Sequence, residues 1–407
     1  MATMHVSPGH DHSNEQANLD TAQRIGLGLF AVSLVAGIAG YMANPEQMFR
    51  SYLTGFMMAG GLPVAFLAML MMHHLVGGEW GVVLRRMLEA GARTLPYMAL
   101  LMLPIAFFMM PALYEWARPE VVAHDKILSD KAPYLNLPFF YIRAAGYYLI
   151  WILFAVKLNS MTKEQEASGV AQQGESEGNL AMRRRLNNVS GPGLLITVLC
   201  VTFAAFDWSM STDPHWFSTI FGLVTLIGWT LTTMCIAAIL MCYLRKYAPL
   251  NRILKTSHFH DFGNLMFAMT ALWAYMSFSQ FLIIWAANLP EEIPWFVRRM
   301  NTSWGVMMGT LAIIHFFLPF FLLLVRKNKK SPELLRNIAI AILFARIIEQ
   351  VWTIQPNYSP AGFTFNALDY LMPLGFLGLF VAIMMRELKA RPLDPVEPHR
   401  IRAEVHY

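Results

Sequence analysis

The stretch that decides the fold is FSTIFGLVTLIGWTLTTMCIAAILMCYL, Phe217–Leu244, which carries no ionisable side chain except Tyr243 and two cysteines. A helix needs roughly 20 consecutive apolar residues to cross hydrocarbon, and an uncharged run of this length reads as a membrane span rather than a soluble core helix. Working outward, similar runs occur at Ile25–Tyr41, Phe49–Val76, Leu95–Tyr114, Leu137–Leu158, Leu194–Met210, Phe262–Ala287, Trp304–Val325, Leu334–Ile354 and Ala367–Met385. Only 14% of the 407 residues are charged and 56% are hydrophobic, against roughly 25% charged in a soluble domain. Hydrocarbon offers no hydrogen-bond partners, so such runs must be helical. The expectation is an all-α polytopic membrane protein of about ten transmembrane helices.

Basic residues set the orientation, because Lys and Arg are retained on the cytoplasmic side. Placing the N-terminus inside puts Arg24, Arg85, Arg86, Arg93, Lys157, Lys163, Arg183–Arg185, Arg245, Lys246, Arg252 and Lys255 on the inner surface. Arg326, Lys327, Lys329, Lys330, Arg336, Arg386, Lys389, Arg391, Arg400 and Arg402 join them. Arg50, Arg118, Lys126, Lys131, Arg298 and Arg299 remain outside, with Arg143 and Arg346 inside helices. This asymmetry accounts for the net charge of +5 without invoking nucleic acid, and it places both termini in the cytoplasm of a bacterial inner-membrane protein.

Residues 1–23 read as a disordered tail with a His-rich start (His5, His10, His12) and none of the regions of a signal peptide. The segment 161–190 reads as a flexible inner loop, rich in Glu, Gln, Ser and Gly before its basic run, and 387–407 as a second cytoplasmic tail. The outer loop Glu115–Pro133 is acidic-leaning and reads as solvated, with docking of another protein as the alternative. Cys200, Cys235 and Cys242 lie in apolar helices without CxxC or CxxCH spacing, so no iron–sulfur cluster, c-type haem or metal site is expected on this chain. Trp208, Trp216, Trp285, Trp295 and Trp304 gather near the outer ends, where amphipathic rings anchor at the interface.

Ionisable groups inside the membrane are costly and therefore functional candidates. Arg143 lies near the outer start of the fourth helix, Asp207 near the outer end of the fifth, and His315 near the middle of the eighth. Arg346 and Glu349 share the ninth, three residues apart and so within reach of each other, and Asp369 opens the tenth. With Ser277, Ser279 and Gln280 on the seventh helix they concentrate polarity in the outer half, as a hydrated half-channel for protons would require. Asp207 has no basic neighbour in its own segment and reads as a proton-exchanging carboxyl. For Arg346–Glu349 a pair that pins helices is as good a reading as a proton relay, and for His315 a hydrogen bond to a neighbouring helix is preferred to haem ligation. His73, His74, His258 and His260 serve the inner half, and Asp261 reads as a cap at a helix start.

Two stretches carry a resemblance. Phe206-Asp207-Trp208-Ser209-Met210-Ser211 is followed by Asp213-Pro214-His215-Trp216-Phe217-Ser218-Thr219. His260-Asp261-Phe262-Gly263-Asn264 leads through Trp273-Ala274-Tyr275 and Ser279-Gln280-Phe281-Leu282-Ile283-Ile284-Trp285 to Asn288-Leu289-Pro290-Glu291-Glu292. Together they resemble the F subunit of bacterial alternative complex III, a quinol:electron-acceptor oxidoreductase whose membrane subunits are akin to those of polysulfide reductases. The resemblance implies two four-helix bundles flanked by a first and a last helix. It also implies partners: a homologous quinol-binding membrane subunit, an extracytoplasmic iron–sulfur subunit, multihaem and monohaem cytochromes c, and lipids. Haem c and iron–sulfur clusters then belong to those partners, and quinone on this chain is left open. Asp207, the Asp213–His215 pair, Asp261, Ser279 and Gln280 fall in the matching stretches; Arg143, His315, Arg346, Glu349 and Asp369 rest on depth alone. The function implied is a non-haem subunit that anchors the complex and conducts protons, not catalytic by itself. Two rivals are a stand-alone secondary transporter, suggested by the broken helix at Gly60-Gly61-Leu62-Pro63, and a purely structural anchor.

Overall fold

The computed structural model describes residues 12–170, 174–247, 249–394, 396–397 and 400–401, with side chains from residue 19 onward. Ten long helices form the body: α1 His12–Ala43, α2 Pro45–Val76, α3 Glu79–Leu113, α4 Leu137–Ala167, α5 Glu177–Trp208, α6 Phe221–Leu244, α7 Thr256–Ala287, α8 Ser303–Leu324, α9 Pro332–Ile354 and α10 Leu368–Lys389. Nine of them, among the described residues, are long and apolar enough to cross a membrane. The remaining one is α9, which carries Arg346 and Glu349 in its second half and packs against α2, α6, α7, α8 and α10. The chain is a multi-pass, all-α membrane protein. Its apolar residues point outward as well as inward: Val35 on α1, Phe107 and Phe108 on α3 and Val306 on α8 are 67%, 70%, 76% and 74% exposed. In water such a surface would be a large liability; against acyl chains it is neutral.

Contacts divide the helices as two bundles. α2, α3, α4 and α5 pack together, as do α6, α7, α8 and α9, and α2 and α5 join the bundles by packing on α6. The first and last helices lie against each other and α10 also covers α2. Small residues permit the α1–α10 approach: a Cβ added at Gly26 would lie 2.4 Å from the Gly378 carbonyl oxygen, and one at Gly375 would lie 2.0 Å from Ser33 Cβ. Close backbone approach of this kind replaces the hydrophobic effect as the glue between helices in lipid.

Three expectations need correction. Helix α1 begins at His12, inside the segment 1–23 read as a disordered tail, while His5 and His10 lie outside the described residues. Helices α4 and α5 consume most of the segment 161–190 read as a loop, leaving 168–176 between them, of which 171–173 lie outside the described residues. The break at Gly60–Gly61 makes no substrate site: the Trp229 ring of α6 fills it, 2.2 Å from where a Gly61 Cβ would be, and Trp229 Nε1 donates to the Met57 carbonyl at 2.7 Å.

The two ends of the bundle differ. At the basic end, Arg85 donates to Glu89 at 3.0 Å, Thr162 at 3.1 Å and Gln165 at 2.9 Å, linking α3 to α4. The segment after α10 folds across this end: Glu397 accepts from Arg183 at 2.7 Å and Arg400 at 3.1 Å, and Arg86 Nε donates to the Asp394 carbonyl at 3.2 Å. The opposite end carries the short helix Pro294–Met300 and the loop helix Lys126–Lys131, capped by Asp125.

Candidate functional site

Two buried charges sit on α9, whose register puts Arg346 and Glu349 on one face. Arg346 Nη1 donates to Glu349 Oε2, and its Nε donates to Thr232 Oγ1 on α6 at 3.2 Å. Gly228, one turn earlier on α6, makes room for the guanidinium: a Cβ there would lie 2.4 Å from Arg346 Nη2. The other carboxylate oxygen of Glu349 accepts from Trp273 Nε1 on α7 at 3.0 Å. His315 completes the group from α8, with Nδ1 3.4 Å from Glu349 Oε2 and its ring centroid 3.8 Å from that of Trp273.

His315 is completely buried, yet neither ring nitrogen has a hydrogen-bond partner among the described residues; the 3.4 Å approach to Glu349 lacks hydrogen-bond geometry. The hydrogen bond to a neighbouring helix expected of it is absent there. Its backbone explains why it can sit so. Residues Ala312–Phe317 form a π-helical turn, and Pro319 lacks the N–H that an α-helix would direct at the His315 carbonyl. The widened turn is a local departure of the kind that recurs at functional sites. A buried, unsatisfied polar group costs roughly 1–3 kcal/mol, so the arrangement is maintained against stability.

Glu349 and Trp273 form the inner wall of a cavity of about 530 Å³ between α7, α8 and α9, within the size range of ligand pockets. Half of its lining residues are aromatic, Phe281, Trp295, Phe296, Phe316 and Trp352 among them, with Gln280 and the Ser277 hydroxyl, unpartnered among the described residues, as two of the few polar groups. Tyr275 and Phe278, 65% and 60% exposed, stand at its rim on the lipid-facing side of α7. Ser279, half-buried, lies outside the lining.

From Glu349 a polar chain leads toward the end away from the basic surface. Thr353 Oγ1 donates to the Glu349 carbonyl at 2.8 Å, and Arg299 donates to the Thr353 carbonyl at 3.1 Å and to Asn357 Oδ1 at 2.8 Å. Asn357 Nδ2 donates to Thr212 Oγ1 at 2.6 Å, beside Asp213, which accepts from the half-exposed Arg298. Arg299, at the end opposite the basic surface as its sequence position implies, is nevertheless 1% exposed, with its guanidinium 3.5 Å over the Trp295 ring. Burial, partly offset by Asp213, pushes its pKa well below the ordinary value, though a guanidinium keeps its proton in proteins. Within its own helix it donates only to the Trp295 carbonyl, at 3.1 Å; the acceptors that draw it inward come from α9 and the segment after it.

The remaining candidates are placed elsewhere. Asp207 is not without a basic partner: Arg143 of α4 grips it through Nε at 2.9 Å and Nη2 at 2.8 Å, and Tyr147 donates to it at 2.9 Å. Tyr134 and Phe139 cover the guanidinium at 3.9 and 4.4 Å. Asp213 and His215 do not pair with each other; His215 Nε2 lies 2.7 Å from Asp125 Oδ2. Asp261 does not cap α7: it is the sixth residue of that helix, exposed, with His260 Nδ1 at 3.5 Å, and the start is closed by Lys255 and His258. Asp369 is a separate centre at the mouth of α10, where one oxygen accepts from Ser51 at 2.6 Å, Gln355 at 2.8 Å and Gln47 at 2.9 Å.

Among the described residues no group of three His, Cys, Asp or Glu side chains is arranged to hold a metal ion, and the three cysteines are free and buried. No family model and no curated protein matches the chain.

Proposed function

We propose that the chain is a proton-conducting membrane subunit of a quinol:electron-acceptor oxidoreductase complex in a bacterial inner membrane, with both termini in the cytoplasm. One observation carries the proton role: Glu349, a carboxylate within a buried helix, stands between a cation and a cavity, beside a histidine with unsatisfied nitrogens. A charge at this depth costs a few kcal/mol in lipid, which a packing role alone would not require. In this reading Arg346 donates to Glu349 at rest. Protonation from the cavity weakens the pair, and the proton passes on through water held along Thr353, Asn357 and Thr212, with the guanidinium of Arg299 keeping its own protons throughout. Arg299 supplies a fixed positive charge that limits how long an excess proton resides there.

The complex itself is supported by the resemblance to alternative complex III, with haem c and iron–sulfur clusters carried by partner subunits. The test is to solubilise native membranes in mild detergent. Co-migration of the chain with c-type haem is expected, and migration as an isolated, active chain would overturn the assignment. In the reconstituted complex, Glu349→Gln should abolish coupled proton movement while electron transfer persists; unchanged proton movement would end the relay role.

A second reading is favoured by the cavity. An aromatic chamber that opens toward lipid and ends on a carboxylate acceptor fits a ring bearing a hydroxyl, as a quinol does. Photoaffinity labelling with a quinone analogue distinguishes the two: labelling of Trp273, Phe281 or Phe316 supports a quinol site, and labelling confined to a partner subunit supports conduction alone.

A further inference from the structure

A second cavity, of about 210 Å³, lies at the basic end, far along the bundle from Glu349. Its lining is unlike that of the first. Arg85 of α3, Arg183 of α5 and Arg400 of the C-terminal segment face it, and Glu397 is its only carboxylate among the described residues, 3.8, 2.7 and 3.1 Å from those three guanidinium groups. Two further carboxylates, Glu89 and Glu175, reach Arg85 and Arg183 from outside the lining. The lining itself therefore has an excess of positive charge.

His73 and His74 close the cavity from the end of α2. His73 is 2% exposed with Nδ1 unpartnered, and His74 has its Nε2 buried and unpartnered among the described residues. His74 Nδ1 lies 3.0 Å from Ser190 Oγ. A hydroxyl donating there leaves the proton of a neutral imidazole on Nε2, as a donor. The site thus offers guanidinium and imidazole donors and is short of acceptors, the pattern that recognises an oxyanion. The rim gives the other half of the ligand. Leu75 and Val76, which also line the cavity, are 39% and 76% exposed on the outside of the bundle, where acyl chains lie.

We infer that this cavity binds the phosphate group of an anionic membrane lipid, with the headgroup among Arg85, Arg183, Arg400 and His74 and the acyl chains leaving over Leu75 and Val76. Glu397 occupies part of the same positive field and so competes with the headgroup. The assignment does not depend on the proton role.

The experiment uses the full-length protein in non-ionic detergent, with bound lipid read by native mass spectrometry against added phosphatidylglycerol, phosphatidylcholine or inorganic phosphate. Phosphatidylglycerol should bind in preference to phosphatidylcholine, and Arg400→Gln should weaken it about tenfold, the loss of one charge-assisted contact. Arg184→Gln, an exposed basic residue outside the lining, should leave binding unchanged. Glu397→Gln should tighten binding, a gain that a misfolded variant cannot mimic. Equal binding by wild type, Arg400→Gln and Glu397→Gln would overturn the site, and displacement of the lipid by equimolar inorganic phosphate would overturn the lipid as its occupant.

Discussion

Away from the basic end, where Arg85 and Glu89 also pair, each bundle buries an arginine–carboxylate pair, and the two are built for different ends. In the first, Arg143 and Asp207 meet fork to fork, Tyr147 takes a further lone pair, and two aromatic rings cover the guanidinium. Three donors are spent on the Asp207 carboxylate, and it borders neither of the two cavities. In the second, Arg346 reaches a single oxygen of Glu349, Trp273 takes the other, and the carboxylate borders a cavity and an unsatisfied His315. The same ion pair is thus a lock where its valences are filled by neighbouring helices, and a relay candidate where they face space. Burial and depth alone do not separate these cases; the remaining lone pairs do.

The largest expected effect falls on the lock. Removing one partner of a buried pair strands the other charge and costs roughly 3–5 kcal/mol. Asp207→Asn should therefore lower the thermal stability of the solubilised protein more than any single change at Glu349. A smaller loss at Asp207 than at Glu349 would erase the distinction. Next comes Glu349→Gln, which keeps the shape and the acceptor for Trp273 but leaves Arg346 with less compensation; its deficit should appear chiefly in proton movement. Trp273→Phe should follow, at roughly 1–3 kcal/mol for a buried carboxylate oxygen left without its donor, read as a loss of thermal stability.

The smallest effect is one of pH, at the basic end. Burial alone would raise the pKa of Glu397, but the hydrogen bond from Arg183 and the charges of Arg183, Arg85 and Arg400 outweigh it and hold the value below the usual 4.5. A depressed folded-state pKa means that the contribution of the carboxylate is complete above the unfolded value and is lost as pH falls through the folded one. In lipid-free detergent the C-terminal segment should thus gain protease sensitivity only below pH 4.5, and lipid-free Glu397→Gln should be sensitive already at neutral pH, with added phosphatidylglycerol restoring protection by engaging Arg85, Arg183 and Arg400 in place of Glu397. Sensitivity that is the same in both proteins at neutral pH would show that Glu397 does not hold the segment.

What could be read from sequence was whatever lies within one helix. The apolar runs gave the helices, and the three-residue spacing gave the Arg346–Glu349 pair. Partners across helices could not be read this way: Arg143 is 64 residues from Asp207, and Trp273 is 76 from Glu349. Signals for part of the centre were nevertheless present. Pro319 four residues after His315 announces the broken turn, and Gly228 four residues before Thr232 marks one face of α6 with space and a hydroxyl. The burial of Arg299 had no such mark, because a short helix at the bundle end folds it inward onto Trp295.

The central claim, that Glu349 changes protonation during turnover, is tested most directly by infrared difference spectroscopy of the intact complex as quinol is oxidised. The account predicts a protonated-carboxyl carbonyl band that appears in the wild type and is missing in Glu349→Gln; the same band persisting undiminished in the variant would contradict it.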